Sequence, residues 1–192
     1  MISHTQVFHE LQLMARQFDV ANVAGVLLND PRFEYWTGSL DGKHHYGKHG
    51  LLIHTHEVIS ISFAVKQTLK FDDVSDQEIF LSALYHDAGK LYDYVPTNED
   101  KTEWIGTEHK RRIHHISRSA IEWTRAVDKF SIHTDLFEPV LHNILAHHGL
   151  REWGSPVAPK SKGAYLLHLS DNMSARMNDC DKIDLIKFKK SA

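Results

Sequence analysis

The chain has a single cysteine, Cys180, among its 192 residues. No intrachain disulfide can form and no thiolate cage can hold a metal, so an inert thiol is the simplest reading of it. No apolar run approaches the roughly 20 residues a membrane span requires. The N-terminus also lacks the basic-then-apolar pattern of a secretory signal. A cytoplasmic protein with no membrane partner is therefore expected. A strong charge of one sign is missing too: the net charge of −3, with histidines neutral, gives no global pull toward polyanions, and any contact with nucleic acid has to be local. Repeats, low-complexity tracts and linker-like shifts in composition are absent. One domain over residues 1–192 is the simplest partition.

What the sequence has in excess is histidine, with 16 residues that are clustered rather than spread. Imidazole is the commonest metal ligand, so the clustering invites a metal reading. The organising stretch is Leu81 to Lys90, an apolar helical run that ends on the adjacent pair His86-Asp87. An imidazole nitrogen beside a carboxylate suits a borderline divalent cation, and the two oxygens of Asp87 allow it to bridge two ions. Alone, the doublet reads by default as a surface or C-capping pair near Gly89.

The punctuation predicts helices throughout, in an all-α bundle. Helices are expected from Thr5 to Phe18 and from Val20 to Leu28, the second stopped by Asn29-Asp30-Pro31. A loop from Trp36 to Gly42 leads into the glycine-spaced segment Lys43 to Gly50. The helix from Leu51 to about Leu69 carries an i, i+3, i+4, i+7 apolar stripe that includes His54, while His56 points away. Ser75 and Glu78 form a capping box ahead of the helix that delivers His86 and Asp87. A short β-hairpin is expected within residues 92–107. Further helices are expected from Ile113 with His114-His115 in its first turns, from Leu136 to His148, and from Ala164 to about Met177. The last places Leu167 and Asp171 on one face.

His54, His86, Asp87, His115, His147, His148 and Asp171 thus come from separate helices, most of them on apolar faces. Burying such groups without partners costs roughly 1–3 kcal/mol each, and more for carboxylates. A metal site resolves that cost. The order His…His-Asp…His…His-His…Asp resembles the HD-domain metal-dependent phosphohydrolase superfamily in its two-metal arrangement. Gly50-Leu-Leu-Ile-His54-Thr, His86-Asp-Ala-Gly-Lys90, His115-Ile-Ser, His147-His148-Gly, Glu152-Trp-Gly-Ser-Pro and Leu167-His-Leu-Ser-Asp171-Asn are similar to the HD domain of YhaM-type 3′–5′ exoribonucleases. The resemblance covers about Leu28 to Met177. Three features depart from that group: His49 stands where it usually has glycine, Lys110-Arg111-Arg112 precedes His115, and the chain has no room for the OB domain that accompanies those enzymes. In its size it also resembles small nucleotide phosphohydrolases, namely 5′-nucleotidases and DatZ-type dATP triphosphohydrolases.

The resemblance implies a helical HD fold, a divalent-metal centre of one or two ions (Mn, Fe, Co, Zn or Mg) and a homo-oligomer. It implies one ion on His54, His86, Asp87 and Asp171, and a second bridged by Asp87 and held by His115, His147 and His148. Asp87 and Lys90 are then the catalytic candidates, with Lys90 one turn beyond His86 to bind a phosphate oxygen. Lys43, His45, Lys48 and Arg118 are candidate phosphate contacts. Trp36, Tyr46 and Trp153 are candidate base-stacking groups, with core or rim packing as their plainer role. The expected activity is hydrolysis of a phosphate bond in a free (deoxy)nucleotide. The alternatives are a YhaM-type exonuclease acting on an RNA 3′ end and a non-catalytic nucleotide-binding regulator.

Overall fold

The computed structural model describes residues 3–40, 42–130 and 134–190, and the side chains of all of these except 134 and 178–190. The Cys180 thiol therefore lies outside the described side chains.

Helix α1 (His4–Gln17) opens on a reciprocal cap between Ser3 and Gln6, and α2 (Ala21–Leu28) follows within four residues. Asp30 accepts the Arg32 amide to start a short helix that the sequence reading passes over, α3 (Pro31–Tyr35), with proline at its first position, where a missing N–H costs nothing. Helix α4 (Gly50–Leu69) runs through the centre of the molecule and packs against α1, α3, α5 and α10. Helix α5 (Asp76–Tyr85) is buried along its whole length from Ile79 onward, because α4, α8 and α9 cover it on different sides. Burying Leu81 and Leu84 there contributes about 1.5–3 kcal/mol apiece. Only half of the expected capping box forms: Ser75 Oγ accepts the Glu78 amide, but Glu78 Oε1 turns away to accept from Asn143.

The chain then makes α6 (Lys90–Asp93) and the expected hairpin, β1 (Tyr94–Pro96) antiparallel to β2 (Trp104–Gly106) with Val95 opposite Ile105. Next come α7 (Glu108–Arg112), α8 (His115–Phe130), α9 (Thr134–Ala146) and the long α10 (Lys162–Lys190). Among the described residues no helix is long and apolar enough to cross a membrane.

Three boundaries differ from the sequence reading. His114 is not helical: at φ 69° it occupies the left-handed region, which ends α7 and re-aims the chain so that α8 begins at His115. Helix α9 stops at Ala146, so His147 and His148 sit on its terminal turn, closed by Gly149 at φ 83° donating to the Ala146 carbonyl. Helix α10 continues well past Met177 to Lys190.

Candidate metal centre

Close backbone approaches fix where the ligating types meet. A Cβ at Gly89 would collide with the carbonyl and Cα of His115, so glycine alone lets the turn after Asp87 pack onto the start of α8. The Gly89 amide donates to Ser119 Oγ at 2.9 Å, and the His115 amide donates to Asp93 Oδ2 at 3.0 Å. These contacts hold the α5–α6 junction and α8 in one register. A Cβ at Gly50 would likewise strike the His45 carbonyl, which ties the 38–50 loop to the first turn of α4.

The result is two groups of nitrogen and oxygen atoms with one carboxylate between them. His54 Nε2 lies 3.3 Å from Asp87 Oδ2 and 3.1 Å from Asp171 Oδ1. His86 Nε2 lies 3.2 Å from the same Asp87 oxygen and 3.2 Å from His54 Nε2. The other Asp87 oxygen, Oδ1, faces His115 Nε2 at 3.5 Å and His147 Nε2 at 3.9 Å, and His115 Nε2 is 3.3 Å from His148 Nε2. With bonds of about 2.1 Å, ligand atoms around one cation stand roughly 3.0–3.4 Å apart. Five of the spacings, at 3.1–3.3 Å, fall within that range, while His86 to Asp171 Oδ1 at 3.8 Å and His115 and His147 to Asp87 Oδ1 at 3.5 and 3.9 Å are wider.

The imidazoles are oriented for ligation. His86, His147 and His148 each direct Nδ1 at a backbone carbonyl, of Ala83, Ile144 and Trp153, at 2.7, 2.6 and 2.8 Å. A carbonyl can only accept, so each Nδ1 carries a proton, and in the neutral ring each Nε2 presents a lone pair to the centre. Asp87 Oδ1 and His147 Nε2 are buried without a hydrogen-bond partner, which is the deficit a shared cation would remove.

Charge is concentrated here at high cost. Burial pushes the Asp87 carboxyl up, but Lys90, His86 and His54 outweigh it and hold it well below the usual carboxylate range. Asp171 is also held low, since His54 and His86 overcome its burial. Burial disfavours a charged His54, yet Asp171 and Asp87 reverse that and raise its pKa. Burial, reinforced by His148 and His86, keeps His147 neutral, and burial lowers His115 to about 4. Lys90, only 7% exposed, places its ammonium 2.6 Å from Asp87 Oδ2.

Beside the centre opens a cavity of about 340 Å³, lined among others by Lys43, His44, Trp153, His168, Asn172 and Arg176. Of the expected phosphate contacts only Lys43 reaches it, and of the expected stacking groups only Trp153. His45 is buried against Glu57, Lys48 is exposed elsewhere, and Tyr46 is half-buried against the core. Arg118 pairs with Glu122 at 2.8 Å and lies 3.6 Å over the Tyr92 ring. Trp36 offers no face to a base: it is a core residue, its indole N–H donating to the Lys90 carbonyl and its ring edge-on to Trp104. Trp153, at 55% exposure, is the cavity's open aromatic.

Sequence reasoning passes over Asp93, which is fully buried and receives both the His115 amide and His109 Nδ1. It also passes over Glu57 and Ser174, although each stands three residues beyond a flagged residue, His54 and Asp171, on the same helical face.

Residues 51–176 match the HD domain family, and the chain belongs to that family. It is similar to the protein named 3′-5′ exoribonuclease YhaM of Bacillus subtilis (strain 168), 29% identical over 139 residues. It is also similar to the protein of the same name of Bacillus pumilus (strain SAFR-032), 31% identical over 140 residues. Each alignment covers 72% of this chain and 42% of the relative, so the chain spans about two fifths of the length of these curated relatives. No solved structure matches the chain.

Proposed function

We propose that this HD domain is a divalent-metal-dependent phosphohydrolase that acts on a free nucleotide seated in the cavity beside Asp87. The observation that carries this reading is the Asp87 carboxylate, whose two oxygens face two separate groups of ligating atoms. His54, His86, Asp87 and Asp171 would hold one ion, and Asp87, His115, His147 and His148 a second. Bound there, the metal supplies Lewis-acid polarisation of the phosphate and an acidified water as nucleophile near neutral pH.

The chain's own groups do the rest. Lys90, fixed on Asp87, contributes positive charge where negative charge develops on the phosphoryl oxygens. Lys43 and Arg176 at the rim attract the phosphates, and Trp153 offers a flat face to the base. A volume of about 340 Å³ falls within the range for small-molecule sites, and Lys43 and Arg176, the lysine and arginine that line it among the described residues, suit the phosphates of a single nucleotide.

A second reading is favoured by the relatives' name: the occupant would be the 3′-terminal nucleotide of an RNA. Incubating the metal-loaded protein with dNTPs, NMPs, cyclic dinucleotides and a 5′-labelled RNA separates the two. Turnover of dNTPs or NMPs, little affected by moderate salt, supports the first. RNA shortened one nucleotide at a time from its 3′ end, with rates falling steeply as salt rises and free nucleotides untouched, establishes the second. Nucleotide binding without turnover would mark a regulatory module.

A further inference from the structure

A continuous hydrogen-bonded chain leads away from the centre through residues to which neither the family match nor the site described above assigns a role. His54 Nδ1 is 3.0 Å from Ser174 Oγ, and Ser174 Oγ donates to Glu57 Oε2 at 2.8 Å. The same Glu57 oxygen accepts from His45 Nε2 at 2.9 Å, and His45 Nδ1 lies 3.2 Å from His44 Nδ1. His44 lines the cavity.

The proton positions along this chain follow from Glu57. A carboxylate only accepts, so the Ser174 hydroxyl gives it its single hydrogen and has only lone pairs left for His54. His54 Nδ1 must therefore be the donor, so the neutral ring that a metal requires has its lone pair on Nε2, the atom facing Asp87 and Asp171. On the other branch His45 Nε2 is the donor, so its Nδ1 accepts from His44. Glu57 thus specifies the ring state of a buried residue it does not touch, across helices α4 and α10. Its second bond anchors the 38–50 loop, where His45 adopts the left-handed φ of 53°.

We propose that Glu57 is a positioning residue for the metal centre, holding His54 through Ser174 in its metal-accepting tautomer and orientation while tying the cavity loop to that centre through His45. Positioning shells of this kind are worth about 10- to 100-fold in metal affinity. The inference rests on the metal-binding reading of His54 given above.

The test is Mn²⁺ affinity, measured by competition with a chelating dye on the full chain, so it needs no substrate. Glu57→Ala should weaken binding by about 10-fold or more. The position is partly exposed and within a helix, where alanine is well tolerated, so the fold should persist. Glu57→Gln keeps an acceptor oxygen and should restore most of the affinity. Ser174→Ala should lose a similar amount, and the double variant Glu57→Ala/Ser174→Ala should be no weaker than Ser174→Ala alone, since both act on His54 by one route. The visible spectrum of bound Co²⁺ should change in Glu57→Ala and not in Glu57→Gln.

Wild-type affinity in Glu57→Ala overturns the inference. So does a Gln variant as weak as the Ala variant, which would mean that charge alone acts at a distance, and so do fully additive losses in the double variant. Should the unaltered chain take up no Mn²⁺, it is the metal reading that fails; if it binds Mn²⁺ and Glu57→Ala matches it, only the inference fails.

Discussion

Asp87 Oδ1 and His147 Nε2 stand 3.9 Å apart, both buried and neither hydrogen-bonded, while the other oxygen of Asp87 is crowded by His54, His86 and Lys90. One side chain therefore faces both groups of candidate ligand atoms, and its loss should have a different consequence from that of any single histidine. Asp87→Ala should abolish uptake at both positions, while His147→Ala should weaken only the position it shares with His115 and His148. Elemental analysis of protein purified from metal-supplemented medium checks this. Equal metal content in wild type and Asp87→Ala would refute the bridging role.

Lys90 makes a different prediction, because its ammonium touches Asp87 and none of the ligating nitrogens is its hydrogen-bond partner. Lys90→Ala should keep the metal stoichiometry and lose on the order of 10²-fold or more in turnover, as for other preorganised electrostatic groups. It should also destabilise the metal-free protein, since Asp87 would be left buried without its nearest cation. Thermal unfolding with and without metal, beside steady-state turnover, measures both. Unchanged turnover would confine Lys90 to a structural role.

The parts of this site that are legible in the sequence are those set by helical periodicity. His54 lies on an apolar stripe, and Asp171 sits among leucines, where a carboxylate requires a partner. Local pattern does not carry the rest. His114 looks as helical as His115, and the boundary between them depends on Asp93 capturing the His115 amide from 22 residues away. The bond from Ser174 to Glu57 spans 117 residues, so neither residue shows a role until α4 and α10 are packed together. Trp36 and Trp153 are chemically alike, and only the tertiary fold makes one a core residue and the other a rim residue.

Acidification should destabilise the metal-free protein in a defined window. His115 is lowered from 6.5 to about 4, chiefly by burial and only partly offset by Asp93 and Asp87, and His44 to about 3, by burial and then Lys90. The unfolded chain takes up these protons below about 6.5 while the fold refuses them, so the contribution of these two imidazoles is full above that pH and falls as pH drops from 6.5 toward 4. His54 runs the other way and above this window: its raised pKa contributes stability that is full below 6.5 and is lost as pH rises through the folded value. Urea midpoints after chelator treatment should fall through this window, and added metal should reduce protonation of the same nitrogens. A midpoint constant from pH 7 to 4 would show that these imidazoles charge without cost in the fold.

Gly89→Ala tests the placement of α8. The added methyl would meet the His115 backbone, which cannot yield without shifting the start of that helix and the histidine on it. A cost of about 1–3 kcal/mol is expected for such overpacking. Metal uptake at the position that uses His115 should weaken more than at the one that uses His54. Equal uptake at both positions in a fully stable variant would show that the close approach is dispensable.

Trp153 tests the cavity as a nucleotide seat. Its backbone carbonyl orients His148, an interaction that survives truncation of the side chain, so Trp153→Ala should leave metal content intact. The indole is 55% exposed at the rim, and its removal should cost little stability. If a base stacks on it, the loss should be about 1–3 kcal/mol of binding, on the order of 10- to 100-fold in KM with kcat nearly unchanged. A matching variant at Trp36 would not report on the substrate, because that ring is in the core. Steady-state kinetics of Trp153→Ala on whichever nucleotide the substrate panel identifies supply the measurement. A fall in kcat at unchanged KM would place Trp153 outside base recognition and leave its carbonyl bond to His148 as its contribution to the site.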